Sequence, residues 1–130
     1  MRPLPALALL FALSPLLEEE PRLVLEAPRV QLLRPDLAAQ GYGKRVEVTA
    51  KLEGEPGDPK AYYCLDEVWD WDDGTESVYE TDCDPYVEGT EIRREFRDSH
   101  YYRPGDYEIS LRLTRGEKIA VKGFVTVRIH

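Results

Sequence analysis

The chain of 130 residues contains no asparagine, one methionine, two histidines and two cysteines. Without asparagine it has no acceptor for N-glycosylation. Cys64, Cys83, His100 and His130 lack the close paired spacing of zinc fingers and ribbons, which argues against a zinc site. No cluster of lysine and arginine interleaves with aromatics, and a formal net charge of -8 with a pI near 4.8 repels a phosphate backbone. Nucleic acid is therefore not an expected partner. No window carries a sustained helical stripe, and repeats and low-complexity tracts are absent. The longest apolar run, Leu4 to Leu17, is broken by Pro5, Ser14 and Pro15 and is too short to span a bilayer.

What is present bounds the molecule to one domain plus a short leader. Met1 and Arg2 give a positive start before the leucine-rich run, so residues 1–20 read as a signal peptide, although no small-x-small cleavage site precedes Glu18. The alternative is a leader without fixed structure. The folded domain is expected over residues 22–130, secreted, periplasmic or at the cell surface, with no membrane span and as a monomer. Cys64 and Cys83 fit export, since a single pair in an oxidising compartment closes one disulfide.

Beyond the leader the apolar residues recur with period two, the mark of strands that bury one face. Ile119, Val121, Val125, Val127 and Ile129 fall on one side of the C-terminal segment, and Lys118, Lys122, Thr126 and Arg128 on the other. Tyr107, Ile109, Leu111 and Leu113 alternate with Glu108, Ser110, Arg112 and Thr114, and the glycine in "RGEK", Arg115 to Lys118, suits a tight hairpin between these two strands. Val46, Val48, Ala50 and Leu52 define a further strand, closed by the turn segment "EGEPGDP". Leu23 to Leu33, interrupted by Pro28, reads as an edge strand. Tyr62 to Trp71 carries Tyr63, Leu65, Trp69 and Trp71 on one side, interrupted by Glu67, and Glu91 to Phe96 presents Ile92 and Phe96 inward with Arg94 between them. About seven short strands with frequent turn signals predict an all-β antiparallel sandwich.

Two segments carry a family resemblance. "VWDWDDGT", Val68 to Thr75, and "HYYRPGDYEISLRL", His100 to Leu113, resemble the two signatures of PKD domains, which are immunoglobulin-like sandwiches of secreted and surface proteins. Trp69, Asp70, Trp71, Asp73 and Gly74 match the first signature, with Asp72 where the family usually has glycine. Tyr101, Pro104, Gly105 and Tyr107 match the second; its histidine position falls on Ser99, with His100 displaced by one. The likeness runs from about Arg22 to Ile129 and does not cover the acidic insertion from Tyr79 to Thr90. It implies an immunoglobulin-like fold and a non-enzymatic interaction module.

The acidic turn invites three readings. As a turn, Trp69 and Trp71 face the core, Asp73 accepts backbone N–H groups and Gly74 takes a positive φ. As a calcium site it would draw on Asp70, Asp72, Asp73, Asp82 and Asp84, with calcium the one cofactor in question; the EF-hand spacing fails, because Gly74 comes one residue early and Thr81 stands at the twelfth position. As a hydrolase site it would pair carboxylates among Asp70, Asp72, Glu76 and Glu80, but a sandwich of this size leaves little volume for a cleft. Asp98, Ser99 and His100 cannot form a triad, since neighbours on an extended chain face opposite ways. No catalytic residue is assigned. The expected function is binding of a protein or polysaccharide, with Tyr62, Tyr79, Tyr86 and Tyr102 as exposed contacts; a spacer domain stabilised by calcium or the disulfide is the alternative.

Overall fold

The computed structural model describes residues 20–32 and 43–130. The signal-like leader up to residue 19, and residue 33 of the first expected strand, lie outside the described residues. Among the described residues there are eight strands: β1 (Arg22–Leu25), β2 (Arg29–Leu32), β3 (Lys44–Glu53), β4 (Asp66–Asp70), β5 (Glu76–Tyr79), β6 (Glu95–Tyr102), β7 (Gly105–Arg115) and β8 (Lys118–Ile129). All pairings are antiparallel.

In the first sheet β6 pairs along most of β3, while β1 and β2 divide β3's other edge between them, β1 against residues 50–53 and β2 against residues 44–47. Pro28 falls in the break between β1 and β2, where no ladder N–H is needed. The second sheet runs β5-β4-β7-β8. The two sheets face each other, and the core fills the space between them. Val46, Val48 and Ala50 of β3, Trp69 of β4, Ile109 and Leu111 of β7 and Tyr102 of β6 are all wholly buried. This is the all-β sandwich that period-two alternation predicts.

Several details depart from the expectation. The segment expected to be extended from Tyr62 opens instead as a short 3-10 turn, Pro59–Tyr62, and pairing begins only at Asp66. The strand expected at Glu91–Phe96 lies later, at Glu95–Tyr102. Its inward positions after Phe96 are Asp98, His100 and Tyr102, so polar residues hide the alternation. Ile119 was expected inside but is 50% exposed, because a register shift between Leu113 and Thr114 inserts an extra residue in β8 and turns Ile119 outward. The hairpin between β7 and β8 has the two-residue loop Gly116–Glu117, with Gly116 at φ +60.

One inward position of β8 holds no side chain. A Cβ on Gly123 would lie 2.2 Å from the Leu23 carbonyl oxygen and 2.9 Å from Leu25 Cδ1. β1 therefore closes the β8 side of the sandwich by laying its backbone over that glycine.

Candidate functional site

β4 and β5 form a hairpin whose turn is the acidic stretch. Trp69 and Trp71, on one side of the extended chain, are wholly buried with rings stacked 5.5 Å apart. The stack continues across the interface. His100 of β6 lies parallel to Trp71 at 4.8 Å, Tyr102 meets His100 edge-on at 4.8 Å, and Tyr107 of β7 stacks on Tyr102 at 4.2 Å. The two signature segments thus meet as one aromatic column.

Each polar handle in that column has a partner. Trp71 Nε1 donates to Ser77 Oγ at 2.9 Å, and Tyr102 donates its hydroxyl to the Trp71 carbonyl at 2.6 Å. Tyr107 donates to the Arg103 carbonyl at 2.9 Å. Burial pushes the Tyr102 phenol well above the usual tyrosine range, aided by the carboxylates of the nearby turn. Tyr102 is therefore no surface contact, contrary to expectation. Its neighbour Tyr101, on the other side of the strand, is the exposed one at 44%. Tyr79 is exposed as expected and Tyr62 and Tyr86 are half-buried; the Tyr79 hydroxyl bridges the two sheets to Asp98 Oδ2 at 2.8 Å.

The carboxylates of the turn are engaged within the fold. Asp70 Oδ1 accepts the Asp72 N–H, and Asp72 Oδ2 accepts the Glu108 N–H from β7. Asp73 Oδ1 accepts the N–H and hydroxyl of Thr75, while its Oδ2 meets His100 Nε2 at 2.7 Å. Burial acts to raise the Asp73 pKa, but the bonds from Thr75 and His100, with the charge on His100, outweigh it and hold the carboxyl below its ordinary value. Gly74 takes φ +87 and Asp72 φ +63. The position where the resembled family usually carries glycine is thus left-handed here, a conformation aspartate tolerates better than most residues.

The five aspartates considered for calcium do not gather. Asp70, Asp72 and Asp73 sit at the turn, whereas Asp82 and Asp84 follow β5 at the other end of the hairpin, beyond the ~13 Å that the strand spans. At that far end the Asp84 carbonyl accepts the Tyr63 hydroxyl at 2.6 Å, Tyr63 and Tyr86 meet edge to face, and Cys64 and Cys83 are joined by a disulfide. Among the described residues no three His, Cys, Asp or Glu side chains form a cation cluster.

The paired carboxylates considered for hydrolysis lie in the open. Asp70 and Glu76 are register partners on the outer face of the second sheet, where Arg112 reaches Glu76 at 3.3 Å. A groove of about 650 Å³ beside Asp72, Asp106, Glu108 and Arg128 is open to solvent. Asp98 and His100 face inward and Ser99 outward, so no triad forms.

Two polar centres went unseen in the sequence. Glu67, 5% exposed, points inward and accepts from Trp69 Nε1 at 3.1 Å and from Arg93 at 2.9 Å, while the Arg93 guanidinium lies 4.5 Å from the Phe96 ring centroid. Arg45, at the outer face of β3, donates to Gln31 Oε1 at 2.6 Å and to Ser99 Oγ at 3.0 Å. Register sets Gln31 beside Arg45, and the facing of the two sheets brings Arg93 to Glu67. No family model, no curated protein and no solved structure matches this chain. Among the described residues no helix is long and apolar enough to cross a membrane.

Proposed function

We propose that the chain is an exported, non-enzymatic binding module of the immunoglobulin-like, PKD-like kind, which meets a protein or polysaccharide through a solvent-facing sheet surface. The observation that carries this reading is the convergence of both signature segments on one buried column whose indole, phenol and carboxylate groups are used up in internal bonds. Chemistry directed at a partner is then left to the outer faces. The immunoglobulin-like part is supported by β3–β6 pairing in one sheet and β4–β7–β8 pairing in the other, by a buried tryptophan on β4, and by Tyr107, near the start of β7, bonding back to the Arg103 carbonyl as a tyrosine corner does. The disulfide supports export, because such bonds persist in oxidising compartments.

The test is capture by the full chain, immobilised and offered a glycan array and purified envelope proteins of its host. Selective, saturable binding of either class supports the module. Binding of neither favours a spacer held together by its disulfide.

A further inference from the structure

We infer that the outer face of the first sheet is a binding surface for an acidic polysaccharide, with Arg45 receiving a carboxylate of the polymer. This rests on the binding-module reading and assigns it a face and a ligand class.

Strand alternation and register place Arg22, Arg29, Arg45, Lys51 and Arg97 on this face. Four of these bases have a carboxylate partner: Arg22 with Glu53 at 3.1 Å, Arg29 with Glu47 at 3.8 Å, Lys51 with Glu26 at 3.2 Å and Arg97 with Glu95 at 3.1 Å. Arg45 differs. Its partners among the described residues are the neutral Gln31 and Ser99, which orient the guanidinium without cancelling its charge. In a chain of net charge -8, an arginine that is partly buried, fixed in direction and left uncompensated on the central strand is a prepared anion site. Glu47, the nearest acid along the strand, is already turned to Arg29.

The surroundings of Arg45 select the ligand. Its register partners are Gln31 on one side and Tyr101 on the other, a row spanning about 10 Å across three strands. Ser99 lies in the adjacent row on the same face, opposite Glu47. An amide, a hydroxyl and one exposed aromatic ring match the hydroxyls and ring face of a sugar. A protein partner would call for an apolar centre, which this row lacks. Nucleic acid would call for several uncompensated cations, whereas the other four bases are neutralised in place.

The experiment is calorimetric titration of the full chain with polygalacturonate and with alginate, each as the free acid salt and as the methyl ester, and with polyglutamate. The free polyuronate is expected to bind, its methyl ester to lose at least ~10-fold in affinity, and Arg45→Gln to lose as much while melting like the parent. Arg97→Gln, which removes a neutralised base from the same face, is expected to change affinity less than ~2-fold. Equal losses for the two variants would mean diffuse charge attraction and overturn the assignment. Equal binding of ester and acid, or Arg45-dependent binding of polyglutamate as tight as that of the polyuronates, also overturns it. If neither polyuronate binds, the inference fails, and the module reading still stands where the glycan array or the envelope proteins are captured.

Discussion

Tyr102 donates its hydroxyl to the main-chain oxygen of Trp71 across 2.6 Å, joining the end of β6 to the segment leaving β4 with neither side chain exposed. Tyr102→Phe keeps the ring and strands a buried carbonyl, so urea unfolding is expected to show a loss of about 1–3 kcal/mol. A loss near zero would mean that water reaches the Trp71 carbonyl. In an alkaline spectrophotometric titration, this phenol is expected to stay protonated above the usual tyrosine range, because burial holds its pKa up.

Asp72 combines a left-handed backbone with a bond to the Glu108 N–H. Asp72→Ala removes the bond and keeps a Cβ at the left-handed φ, whereas Asp72→Gly removes the bond but relaxes the backbone. Alanine is expected to be the worse replacement by about 1 kcal/mol. If the two variants melt together, the backbone conformation carries no cost at this position.

Asp73 binds its proton less readily in the folded chain than an ordinary aspartate does. Its contribution to stability is therefore fully present above the usual aspartate range and fades as pH falls through the lowered value. Asp73→Asn is expected to melt lower than the parent at neutral pH, with the gap closing below about pH 4. A gap independent of pH down to acid unfolding would show that the charge of Asp73 contributes nothing.

Gly123 has backbone, not a flexible side chain, directly over it. Gly123→Ala is expected to lift β1 and cost at least ~2 kcal/mol, with faster amide exchange at Leu23 and Leu25 than in the parent. Unchanged exchange there would place β1 elsewhere.

The Cys64–Cys83 bond clasps the two ends of the β4–β5 hairpin. Breaking it in a Cys64→Ala/Cys83→Ala variant is expected to lower stability by about 3 kcal/mol through the loosened unfolded chain. An unaltered melting temperature under reductant would contradict that role.

Where one face is apolar and the other polar without exception, as in β3 and most of β7, the sequence is read directly. The turn chemistry was equally open: adjacent aspartates before a glycine signalled a hard bend, and Trp69 and Trp71 fell inside. The cysteine pair also followed from number and spacing. What stayed hidden depends on partners far along the chain. Glu67 looked like an interruption until Arg93, 26 residues on, supplied its counter-charge. Asp98 and His100 masked β6 because their partners Tyr79 and Asp73 belong to the other sheet. The shifted register that exposes Ile119 leaves no mark in the residue types. Arg45 reads as one more base on an alternating strand; its neutral surroundings come from Gln31 and Ser99, on strands either side of it.

The crossing of β1 over Gly123 sets a condition on assembly during synthesis. Residue 23 needs a surface that residue 123 completes, so β1 waits with that side uncovered until β8 has emerged. Removal of residues 121–130 would thus be felt first at β1.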